Sequence, residues 1–254
     1  MDQIIRHPAV LFVLLLILLA AATAIGAQIL RKVRPISNEG RDDFSIILGA
    51  TLTLLALLIG FTLSMAVSRY DQRKNLEEEE ANAIGTEYLR ADLLEGPNAS
   101  KVKGLLIRYL GQRLSYYQTR DREQLREIEA ATTSIEGEMW ETVRDAARDK
   151  PNPITALVLT GMNDVINSQG YADAAWRNRI PVAAWCLMII IAFFSTLMQG
   201  YGARTEVSRA FLLFVLPLTV SLSLALIADI DSPRGGLIRV SPQNLQSLAE
   251  SLQH

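Results

Sequence analysis

The sequence predicts an all-α membrane protein: four spanning helices, with a helical soluble bundle between the second and the third. Three observations predict it. Half of the 254 residues are hydrophobic, and they cluster in four apolar runs, at 9–30, 44–67, 180–198 and 210–228. Each run is close to the roughly 20 apolar residues that a spanning helix needs. The stretch between the second and third runs shows helical periodicity and no alternation of a strand kind. The formal net charge of −2 leaves no basic footprint for nucleic acid.

The first run follows Arg6 and contains Ala22-Thr23-Ala24, which has the look of a secretory cleavage site. The apolar residues continue past it to Leu30, longer than a signal core, so the run reads as a span. Ala20/Ala24 and Ala22/Gly26 place small residues four apart, a spacing that lets membrane helices approach closely. Arg31 to Asp43, with Pro35, Asn38 and Gly40, is a short polar turn, so spans one and two form a hairpin, residues 1–67.

The second run, Phe44 to Val67, is free of charge, and the helix-favouring pattern continues through a polar segment to Leu94 without a proline. One helix of about 51 residues is expected, roughly 75 Å long at about 1.5 Å per residue. Gly85 is the expected point of bending, since glycine costs about 1 kcal/mol relative to alanine inside a helix. Gly49, Thr53, Ala56, Gly60 and Ser64 recur at steps of four, three, four and four and form one small, weakly polar stripe. Such a stripe is more often a packing seam; the sharper reading is the lining of a pore shared between copies of the chain.

Beyond the span, Arg69, Arg73 and Lys74 form a basic collar, followed by the acidic run Glu77 to Glu80. Glu80 and Glu87 fall on one helical face, beside an apolar stripe of Ala81, Ile84, Tyr88 and Ala91. A solvated acidic face is the usual outcome for such a run, and an acidic pore mouth the functional one. Glu95-Gly-Pro-Asn-Ala-Ser100 is a loop, and the segment that follows restarts helix with Val102, Leu105, Leu106, Tyr109 and Leu110 on one face. A charged helix over about 122–148 carries a thinner stripe of Leu125, Ile128, Ile135, Met139 and Val143, and Pro151 and Pro153 end it. A further helix begins near Ile154 and leads toward span three, where Pro181 suits a first turn. Residues 68–179 are thus expected to be a cytosolic helical domain.

Span three is apolar nearly all round, which places it against lipid with Trp185 and Tyr201 near its interfaces. The second hairpin, residues 180–228, is completed by span four, in which Pro217 removes one backbone donor. The chain leaves the membrane through Ala228-Asp-Ile-Asp-Ser-Pro-Arg-Gly-Gly236. Asp229 and Asp231 are either helix-end acids, Asp229 paired with Arg234 or Arg239, or charges at a pore mouth. Residues 229–254 form a short polar tail.

An even number of spans puts both termini on one side. That side carries Arg6, Arg69, Arg73, Lys74, Arg177, Arg179, Arg234 and Arg239 near the membrane, against Arg31, Lys32, Arg34, Arg41, Arg204 and Arg209 on the other. The positive-inside rule thus places the termini in the cytoplasm, in an inner (plasma) membrane, by a narrow charge margin. His7 and His254 are the only histidines and Cys186, the one cysteine, sits in span three, so neither a histidine triad nor a histidine metal cluster is expected. Glu80, Glu87 and Asp92 have no second catalytic group near them in sequence, and no phosphate or dinucleotide loop is present. No enzyme, catalytic residue, metal site or cofactor is predicted.

Two stretches together, Gly60 to Leu94 (GFTLSMAVSRYDQRKNLEEEEANAIGTEYLRADLL) and Ala225 to Ser241 (ALIADIDSPRGGLIRVS), resemble the bestrophin-like family of bacterial membrane proteins. The resemblance runs over nearly the whole chain in span order. It implies a relation to bestrophins, which are pentameric anion channels with four spans, cytoplasmic termini and a pore lined by the second span. Span two here has only Phe44 and Phe61 where bestrophins have closely spaced phenylalanines, and no calcium ligand is carried over. The function expected is an oligomeric ion channel-like protein, whose partners are the lipid bilayer, further copies of the chain and small ions. The other reading is a non-conducting anchor or sensor whose helical domain binds protein partners.

Overall fold

The computed structural model describes residues 7–33, 36–37, 40–203 and 210–253. Arg6, Arg34, Pro35, Asn38, Arg204, Arg209 and His254, used above for turns, topology and chemistry, lie outside the described residues. The described residues are helical with no strand. The chain divides into two compact units, one of residues 1–68 with 179–238, the other of 69–178 with 239–254. Four helical stretches, Pro8–Val33, Gly40–Leu93, Pro153–Gly202 and Phe211–Asp231, hold segments long and apolar enough to cross a membrane.

In the first unit, α1 (Pro8–Ile25) opens on a proline in its first turn and continues through a π-helical turn, Gly26–Leu30, to Val33. Its inward face is Leu11, Leu15, Leu19, Ala22 and Thr23, and it packs on α6 (Val182–Gly202) and α7 (Ala210–Asp231). The contact with α6 is backbone to backbone. A Cβ on Gly26 would collide with the Leu197 carbonyl, and one on Gly200 with the Thr23 carbonyl. Small residues are what permit this approach in lipid, where there is little hydrophobic drive between helices. Of the two small pairs in the sequence, Ala22/Gly26 makes the contact, while Ala24 is exposed.

The core of this unit also takes Leu55, Ala66, Met188, Ala192, Val220, Leu224, Ile227 and Ala228. Trp185, expected near an interface against lipid, is fully buried instead. The outward side of α6 carries Val182, Leu187, Ile190 and Phe194, all exposed. A helix that is apolar all round hides its inward face from pattern reading, because every face has the same polarity.

The long α2 (Gly40–Arg90, 51 residues) is unbroken through Gly85 and passes into a 3₁₀ turn, Ala91–Leu93. Gly85 is also a packing position: a Cβ there would lie 3.1 Å from Leu248 Cδ1 of α8 (Gln243–Ser251).

The second unit is a bundle of the later part of α2, α3 (Pro97–Gln118), α4 (Arg122–Asp149), α5 (Pro153–Arg177) and α8. Its starts are written locally. Gly96, at φ 65°, makes the turn that no side chain favours, and Pro97 opens α3. Asp121 accepts from Glu123 N–H at 2.8 Å to cap α4, and Asn152 with Thr155 forms a capping box on α5. The core gathers Ile84, Val102, Leu106, Tyr109, Ile135, Met139, Val143, Val158, Met162 and Leu245. Trp176 meets Tyr116 and Tyr117 edge-on, ring centroids 5.6 and 5.3 Å apart.

Candidate functional site in the second span

Within the first unit, span two leaves its small stripe uncovered, alongside exposed Leu54, Leu57, Phe61 and Met65. Leu55, Thr62 and Ala66 are buried, whereas Gly49, Thr53, Ala56, Gly60 and Ser64 are all exposed. A Cβ on Gly49 or Gly60 would meet nothing within 4 Å. The stripe is therefore not a packing seam within the chain. Only 11% of this span's apolar window is buried, against 33–39% for the other three, so it is the span most open to something outside its own chain. Thr53 Oγ1 donates to the Gly49 carbonyl at 2.9 Å, so its hydroxyl is already satisfied by its own helix.

Asp229 and Asp231 belong to the same unit and serve the backbone. Asp229 accepts from Leu237 N–H and Ile238 N–H, both at 2.8 Å, which closes the turn after α7. Both Asp231 oxygens accept from Ile180 N–H, at 3.3 and 3.1 Å, at the entry to α6. Their exposures are 7% and 2%, too small for either carboxylate to present much surface in the single chain.

In the second unit the polar residues of α2 divide by helical register. Lys74, Glu78 and Glu79 are exposed, Arg69 is half-buried, and Arg73, Glu77, Glu80 and Glu87 are buried. The expected solvated acidic face is thus only part of the acidic run. Arg73 donates to the carbonyls of Ala175 and Asn178, both at 3.2 Å, and caps the C-terminus of α5. Glu77 accepts from Leu245 N–H at 3.0 Å and from Asn244 Nδ2 at 2.7 Å, capping the N-terminus of α8.

Glu80 is paired with Arg113 and accepts from the Tyr117 hydroxyl at 3.0 Å. Arg113 also reaches Asp173 at 3.2 Å, which Gln169 holds at 2.5 Å, and its guanidinium lies 4.4 Å from the Tyr116 ring centroid. Burial favours the neutral acid at Glu80 and is opposed by Arg113 and Tyr117. Arg113 stays protonated, because Glu80, Tyr109 and Asp173 outweigh its own desolvation. Glu87 is different. Neither of its oxygens has a hydrogen-bond partner, Arg90 Nη1 stands 3.9 Å away, and burial pushes its carboxyl up to about 8. Burial likewise raises Glu136 to about 7.

Pattern reading missed Arg113, Tyr117 and Asp173. A signal for Arg113 was available: it continues the buried register of Val102, Leu106, Tyr109 and Leu110, where an unpaired cation would be costly. Its partners lie on other helices and leave no mark in the sequence. Among the described residues no group of three or more His, Cys, Asp or Glu side chains is arranged to hold a metal ion.

A family model described as a bestrophin-like domain matches residues 8–245. The chain belongs to the bestrophin-like family. It is a multi-pass membrane protein of the all-α class. The fold is shared with a bacterial bestrophin homolog from Klebsiella pneumoniae, solved by zinc phasing, at 15% identity and a TM-score of 0.66, over 94% of this chain and 98% of that one. Two variants of that homolog align at 15% and 14% identity with TM-scores of 0.68 and 0.66, each over 95% of this chain and 97% of the other. At these identities the likeness is one of fold. No curated protein matches the chain.

Proposed function

We propose that this chain is the subunit of a homo-oligomeric ion channel-like protein, in which span two lines the ion path. The carrying observation is the outward stripe of Gly49, Thr53, Ala56, Gly60 and Ser64. The core of the subunit is filled by leucine, alanine and tryptophan, so a path along this span has to be shared between copies. Family membership supports the reading, and with it a pentamer in the inner (plasma) membrane. On this proposal residues 68–179 and 229–254 and both termini are cytoplasmic. Arg69 and Lys74 contribute a basic collar at the mouth, which favours anions, while Arg73, Glu80, Glu87, Asp229 and Asp231 act by holding the subunit's shape.

The test is ion flux in liposomes, chloride and potassium measured separately against empty liposomes. Gly60→Leu is the decisive variant, because position 60 is open within the subunit and the change leaves its packing intact. It is expected to abolish flux while the protein still inserts; unchanged flux removes Gly60 from the path.

One observation favours the other reading, a non-conducting anchor or sensor whose helical unit binds partners. Leu54, Leu57, Phe61 and Met65 are exposed on the same span, and the Thr53 hydroxyl is occupied, so the outward face also suits dry packing between copies. Absence of flux for both ions, from folded and inserted protein, selects that reading.

A further inference from the structure

A cavity of about 260 Å³ lies in the first unit between the first turns of α2 and the end of α6. Its wall includes Arg41, Phe44 and Leu48 from α2, with Gln199, Gly202 and Ala203 from the end of α6. Three features make it a built site. Phe44 is fixed in the wall, packed on Gly202 and edge-on to Tyr201 with ring centroids 5.5 Å apart. Arg41 is half-buried, and no described carboxylate pairs with it. Gln199 Oε1 is buried and has no hydrogen-bond donor. A buried acceptor left unmet costs free energy, so the site is incomplete without a donor.

The surrounding charge narrows the ligand. Arg31 donates to the Ala203 carbonyl at 3.0 Å, so a second guanidinium serves the same rim. Asp42 and Asp43 stand exposed in the same first turn of α2. Two cations and two carboxylates do not select a bare anion. They suit a ligand that carries a phosphate and a cationic N–H donor together. The volume is below the range of about 300–1,000 Å³ typical of whole-ligand pockets, so it admits a head group and leaves any acyl chains outside. Exposed Ile46 and Ile47 on the adjoining turn of α2 offer apolar surface for such chains.

We propose that this cavity binds the head group of a phosphoethanolamine-type lipid, its phosphate on Arg41 and its ammonium donating to Gln199 Oε1. Arginine's planar fork suits a phosphate's oxygens, and the helix N-terminus adds favourable potential. A trimethylammonium head group has the same charge and phosphate but no N–H, so it leaves the Gln199 acceptor unmet.

The experiment is native mass spectrometry of the full chain in detergent, offered equimolar dioleoyl phosphatidylethanolamine and dioleoyl phosphatidylcholine. The wild type is expected to retain the ethanolamine lipid about fivefold over the choline lipid, the worth of roughly one hydrogen bond. Gln199→Leu should bring that ratio to about one. Arg41→Gln should lower retention of both lipids, and so should Leu48→Trp, which fills the cavity and leaves Arg41 in place. An equal ratio in the wild type, a ratio untouched by Gln199→Leu, or retention untouched by Leu48→Trp overturns the proposal. So does displacement of the lipid by free phosphoethanolamine at matched concentration, which would make the ligand a soluble phosphate ester.

Discussion

Glu87 concentrates the electrostatics of the helical unit into one carboxyl group. Arg90 faces it from its own helix and Asp164 from α5, and the backbone at Gly161 leaves no room for a Cβ beside it. Its carboxyl titrates at about 8 when folded, against 4.5 for the ordinary group. The folded state therefore holds this proton more tightly than the unfolded chain. Its contribution to stability is full below 4.5, shrinks as the pH rises, and is gone above about 8. Glu136 acts with the same sign up to about 7, so the informative comparison is between wild type and Glu87→Gln. Thermal unfolding in detergent should find the variant more stable than wild type at alkaline pH, with the gap closing on acidification toward pH 5. A gap that does not change with pH would contradict the assignment. Helical spacing sets Glu80 and Glu87 on one face, apart from Glu78 and Glu79, but does not show that this face is covered, because burial depends on which neighbour arrives against it.

Among the elements, α8 depends most visibly on a residue far from it in sequence. The Leu245 amide in its first turn is capped by Glu77 of α2, which also takes the Asn244 side chain, the role an N-cap side chain ordinarily plays from the adjacent position. Replacing Glu77 by alanine should cost about 0.5–2 kcal/mol, most of it local to this helix. Hydrogen exchange should then rise across residues 243–251 well before it rises in α3 or α4. A uniform increase over the bundle would show that Glu77 supports the core instead of the cap. Helix starts were legible where a proline or a capping side chain sits at the boundary, as at Pro97, Asp121 and Asn152. The close approach of Leu248 to Gly85 was not legible, since Leu248 lies on a helix whose docking partner the pattern does not name.

For the molecule as a whole, the spans and their order could be read from apolar length alone, while the orientation of span two could not. Apolar residues surround it, and only the packing of Leu55 and Ala66 into the core of the chain shows which way the small stripe turns. The stripe faces away from the core of its own chain, so conduction and assembly make one joint prediction. Native mass spectrometry in detergent should find a ring of four or more identical chains, five on the family's precedent. A stable monomer under conditions that preserve flux would defeat the shared-path reading outright.

The capping of α8 by α2 also sets an order on synthesis. Glu77 leaves the ribosome 167 residues before its Asn244 side-chain partner and 168 before its Leu245 amide partner. Until then the helical unit holds a carboxylate whose designated donors do not yet exist. The unit closes only after the last span has been made, so a finished bundle certifies that translation has passed the membrane segments.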